Sequence, residues 1–82
     1  MIFHVSDCAT LQTALDGLCE GLSAQMVDQE RVFDCKLAAC ELLGNVLKHG
    51  DGQADLHAVL QDGYVVLKVV SKTAFQIGRA HV

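Results

Sequence analysis

The sequence predicts a two-layer α/β sandwich, with one layer of helices on one face of a sheet. Three observations carry this. Apolar residues recur at helical spacing in two consecutive segments. Short β-rich runs precede and follow those segments. An Asp-Gly pair joins the last two runs.

The first element is "IFHV", residues 2–5, which reads as a short strand. Ser6 or Asp7 then stands where a side-chain oxygen can accept from the free amides of a helix start. Leu11, Leu15, Leu18, Leu22 and Met26 follow at steps of four, three, four and four, which is one face of a helix. Gly17 and Gly21 weaken that helix but permit close packing. Asp28 is the next candidate cap. A second helix is expected from about Gln29 to Lys48 or His49, closed by Gly50. Residues 50–53, "GDGQ", read as a loop. Two strands follow, at 55–60 and 64–71. Asp62-Gly63 between them suits a tight hairpin turn with positive φ.

Composition narrows the function. With 82 residues, the chain is one domain at most. Half of it is apolar and a fifth is charged, which is a globular composition. The net charge is −4, without a basic run, so nucleic acid is a poor partner. No apolar stretch approaches the roughly 20 residues of a membrane span. The N-terminus lacks the charged and apolar regions of a signal peptide, so a cytoplasmic location is expected. Cys8, Cys19, Cys35 and Cys40 lack Cys-x-x-Cys spacing and read as buried reduced thiols rather than a zinc site with His4 or His49. His4 and His57 are expected on the polar face of the sheet.

The second helix is the most informative segment. At 100° per residue, Val32, Phe33, Cys35, Ala39, Cys40, Leu42, Leu43, Val46 and Leu47 span an arc of roughly 180°, so the helix is expected to be mostly buried. On the other side, Asp34, Glu41, Asn45 and Lys48 lie within about 60° of one another. A carboxylate, an amide and an ammonium in one stripe suit a phosphate ligand with a hydrated cation, because magnesium takes oxygen ligands and keeps several waters. The same stripe also suits an ordinary solvated face with weak i, i+3 and i+4 pairs.

The segment "ACELLGNVLKHG", residues 39–50, resembles the N-box of the histidine-kinase-like (GHKL, or Bergerat) ATPase superfamily, and most closely that of its anti-sigma-factor serine/threonine kinase branch. The element order is similar too, over roughly residues 1–75. The resemblance implies a Bergerat-type sandwich that binds Mg-ATP. Glu41 would be the catalytic or water-orienting carboxylate, and Asn45 the magnesium ligand. Lys48 and His49 would lie against the phosphates or ribose. The intact parent would transfer the γ-phosphoryl group to a serine of an anti-anti-sigma protein, or hold a sigma factor, and homodimers are common in that branch. A degenerate member would bind protein alone. The sequence departs from the family after the last strand. The Asp-x-Gly-x-Gly turn that reads adenine is replaced by Ser71-Lys72-Thr73-Ala74-Phe75, and no glycine-rich phosphate loop follows.

Residues 77–82, "IGRAHV", equal the translation of a common sequencing-adapter oligonucleotide. They are expected to be a non-native tail on residues 1–76, the N-terminal part of a domain incomplete at its C-terminus. Such a fragment is expected to bind ATP weakly, and its strand at 64–71 would be an exposed edge that invites pairing between chains.

Overall fold

The computed structural model describes residues 1–49, 52–71 and 75–81, the last group as backbone alone. Gly50 and Asp51 lie outside the described residues. The elements are β1 (Ile2–Val5), α1 (Cys8–Ala24), α2 (Gln29–His49), β2 (Ala54–Gln61), β3 (Tyr64–Val70) and β4 (Phe75–His81). The sheet has the order β1-β2-β3-β4, and every neighbouring pair is antiparallel. Both helices pack on it: α1 against β1 and α2, and α2 against β2, β3 and β4. The two layers are as expected. With its wholly antiparallel sheet, the domain belongs to the α+β class.

Local chemistry explains the boundaries. Asp7 caps α1: its Oδ1 accepts from the Thr10 amide at 2.8 Å, and its own amide donates to Thr10 Oγ1 at 3.0 Å. These reciprocal bonds satisfy donors that a helix start leaves free. They also hold the Asp7 carboxyl below its usual range, the Thr10 amide being the main cause. A carboxylate with a depressed folded pKa stabilises fully above its unfolded value, near 3.8, and that stabilisation fades as pH falls through the folded one. We therefore expect Asp7→Asn to keep the cap but to flatten the pH dependence of the unfolding midpoint below about pH 4. Parallel acid titrations of the two proteins by circular dichroism check this; equal slopes would show that Asp7 is not the responsible group.

Helix α1 stops earlier than its apolar spacing suggests. The Val27 amide donates to the Leu22 carbonyl and the Met26 amide to the Ser23 carbonyl, each at 3.1 Å, with Met26 at φ 65°. This is a left-handed closing turn of the Schellman kind. Val27 is buried behind it, and Met26 is 91% exposed instead of continuing the core face.

The core is the interface between the layers. Leu15, Leu18 and Leu22 of α1 and Val32, Cys35, Ala39, Leu43 and Val46 of α2 meet Leu56, Ala58, Val65, Leu67 and Val69 of the sheet. The glycines of α1 serve the close approach expected of them. A Cβ on Gly17 would stand 2.6 Å from the Phe3 ring, and one on Gly21 would collide with the Met1 sulfur. The start of β1 is held further by the terminal amine, which donates to the Ala58 carbonyl at 2.9 Å, while the Ala58 amide donates to the Met1 carbonyl at 2.8 Å. At the hairpin, Asp62 and Gly63 have φ of 53° and 78°, the positive values the turn requires.

The strand at 64–71 is not an edge. β4 pairs along it from Tyr64↔His81 to Val70↔Phe75. Unpaired backbone groups on a Val-rich strand are a template for the next extended segment, and the chain itself supplies one. Pairing of residues 75–81 needs only backbone, so it arises without any side-chain signal in the sequence.

Candidate functional site

The four residues singled out from the sequence all lie in the last three turns of α2, and all are exposed. Leu43 and Val46, between them, are buried and fix this part of the helix on the sheet. Glu41 and Asn45 are i, i+4 neighbours on one face, a spacing of about 5–6 Å between Cβ atoms. Lys48 stands one turn further along, and His49 beside it. Asp34, on the same stripe, is engaged elsewhere: its Oδ2 accepts from Arg31 Nη1 at 3.2 Å.

The helix does not have the burial expected of it. Phe33 is 57% exposed, and Cys40 is exposed as well. An arc of roughly 180° is more than a two-layer fold can cover, because the sheet and α1 reach only one side of α2. The polar stripe is therefore half of a broad open face. The thiol expectation changes for the same reason. Cys35 is buried, Cys19 half-buried, and Cys8 and Cys40 exposed. Burial, with lesser contributions from Asp34 and Cys19, pushes the Cys35 thiol up, which leaves it inert.

The chemistry available to the stripe is limited but definite. It offers one carboxylate, one amide oxygen and one ammonium, all reachable from solvent. Among the described residues no group of three His, Cys, Asp or Glu side chains could hold a metal ion. This donor set suits a magnesium ion that arrives with phosphates and waters, and not a free one. The C-terminal end of a helix carries partial negative charge, which favours a cation beside Asn45 and makes Lys48 the group that would meet phosphate. Among the surface hollows are two lined by described residues. One, of about 430 Å³, is lined by Gln61, Asp62, Tyr64 and Val66. The other, of about 310 Å³, is lined by Ile2, Phe3, His4, Thr10, Thr13 and Ala14. Neither includes the α2 residues.

His4 and His57 fall on the outer sheet face, as their strand positions imply. His4 Nδ1 and Asp55 Oδ1 are 2.9 Å apart across the β1–β2 register, in an exposed pair. No described helix is long and apolar enough to cross a membrane. Compared with protein families, characterised proteins and solved structures, the chain matches none.

Proposed function

We propose that this chain is the nucleotide-facing part of a GHKL-type ATPase domain of the anti-sigma-factor kinase kind. The observation that carries the reading is the placement of Glu41 and Asn45 side by side on an open face of α2, in a two-layer fold whose helices follow the first strand. In this reading the Asn45 side-chain oxygen coordinates magnesium carried by ATP. Lys48 neutralises phosphate, and His49 borders the phosphates or ribose. Glu41 accepts the proton of a serine hydroxyl on an anti-anti-sigma protein as its oxygen takes the γ-phosphoryl group and ADP leaves. Positioning and charge neutralisation supply most of such a reaction.

A second reading has its own observation. The strand β3 runs into Ser71-Lys72-Thr73, without the aspartate and glycines that read adenine in the family. A domain that keeps the fold and binds a sigma factor or its regulator by protein contact alone fits that change.

Titration with ATP separates the two. If the nucleotide reading holds, binding requires magnesium, and Asn45→Ala weakens it by roughly 10- to 100-fold, the worth of one bond to a charged group. The same variant leaves the fold unchanged. Equal affinity of both proteins for ATP, with and without magnesium, would remove Asn45 as a ligand and leave the protein-binding reading.

A further inference from the structure

Two of the four thiols lie where the helices meet. In α1, Leu15, Cys19 and Ser23 follow at steps of four along one side. Ser23 marks that side as the one turned toward α2, because its Oγ accepts from Gln29 Nε2 at 3.0 Å. The opposite side of α1 is taken by β1, whose Phe3 and Met1 stand against Gly17 and Gly21. In α2, Cys35, Ala38 and Leu42 lie within about 60° of one another, on the edge away from the exposed Phe33 and Cys40. Cys35 is in the core, and Cys19, Ala38 and Leu42 pack against it. The turn at 25–28 returns the chain alongside α1. Cys19 is then about 6 Å along its helix from Ser23, and Cys35 about 9 Å along its own from Gln29, so the two stand at nearly the same level. Burial first, then Asp34 and Cys19, push the Cys35 thiol up, as expected of a sulfur that shares a dry space with Cys19.

We propose that Cys19 and Cys35 are a dithiol site, which a low-molecular-weight disulfide oxidises to a bridge between α1 and α2. Helices packed about 8–10 Å apart bring facing Cα atoms to about 4–6 Å, and a disulfide spans about 4.4–6.8 Å. Cys19 is half-buried and Cys35 buried, so the reagent meets Cys19 first. The Cys19 thiolate attacks one sulfur of the small disulfide; that S–S bond breaks and one thiolate leaves. Cys35 gives its proton to the released thiolate and attacks the Cys19 sulfur. The Cys19–Cys35 bond forms as the second thiolate leaves. Two protein thiols are oxidised, and one small disulfide is reduced to two thiols. Burial keeps Cys35 inert toward reagents in solvent, whereas a tethered neighbour reacts at high effective concentration. The site uses none of Glu41, Asn45 and Lys48, so it stands independently of the nucleotide reading.

Equilibration in glutathione redox buffers tests this, in a Cys8→Ser, Cys40→Ser background that removes the two exposed thiols. At one buffer composition, the ratio of bridged to reduced protein should be at least about 10-fold greater in the folded chain than in urea, because a fold that holds the sulfurs in bonding geometry favours the bridge. Peptide mapping should place the bond between Cys19 and Cys35 of one chain, and the bridged protein should unfold at a higher urea concentration. Cys35→Ala, its fold checked by circular dichroism, should stop at the mixed disulfide of Cys19 with glutathione. A ratio no greater in the folded chain than in urea would overturn the proposal. So would a mixed disulfide on Cys19 that persists while Cys35 stays reduced, or bonds formed only between chains.

Discussion

Replacing Leu18 by alanine is expected to remove about 2–5 kcal/mol of folding stability. Leu18 has no exposed surface and sits midway along α1, in the core between the helices and the sheet. Its loss combines the transfer energy of the deleted methyl groups with a cavity that the surrounding Leu and Val side chains cannot fill. A domain of this size has about 4–12 kcal/mol in total, so a large share of the folded population is at stake. Urea unfolding followed by circular dichroism should show a lower midpoint with an unchanged slope. Leu37→Ala is the matched control. Leu37 is 54% exposed on the outer side of α2, and its truncation in the monomer should cost under about 1 kcal/mol. If the two variants lost the same stability, the core would not be closed around Leu18.

The second large effect is expected at a glycine. Gly17→Leu should destabilise by about 1–3 kcal/mol, although leucine favours helix far more than glycine does. A Cβ at position 17 stands 2.6 Å from one atom of the Phe3 ring and 3.0 Å from the next, so the rest of the side chain must push β1 off α1. At Gly44, where the space is open, the same substitution should gain about 1 kcal/mol through helix propensity alone. Opposite signs at two helical glycines, measured in dilute protein, would establish that α1 and β1 are in contact through Gly17. A gain at both positions would mean that Phe3 is free to move aside.

Both expectations depend on which side of each helix is covered, and the sequence conveyed this unevenly. In α1 the spacing of Leu11, Leu15, Leu18 and Leu22 points to one face, and that face is the one that packs. Met26 continues the spacing yet lies outside the core, because a left-handed closing turn intervenes. Its backbone bonds to Leu22 and Ser23 carry no side-chain signature when glycine is absent. In α2 the apolar residues outnumber the positions that two layers can bury. Periodicity alone therefore could not tell Leu43, which is enclosed, from Phe33, which is not.

The candidate site divides in the same way. That Glu41, Asn45 and Lys48 share one side of a helix is set by their spacing, since helix geometry is local. That the side is open, and adjoins the exposed Phe33 and Leu37, depends on where the sheet ends. Two further features were also tertiary: the pairing of β4, which uses backbone groups that every residue possesses, and the exposure of Cys8 and Cys40.

By itself, then, the sequence determined the order and type of the elements from β1 to β3, a cap at Ser6 or Asp7, and the Asp62-Gly63 turn. Each of these is set by interactions within a few residues. Only the tertiary structure decided which apolar residues are covered, because burial depends on the finite area that a four-stranded sheet and one neighbouring helix can offer to α2.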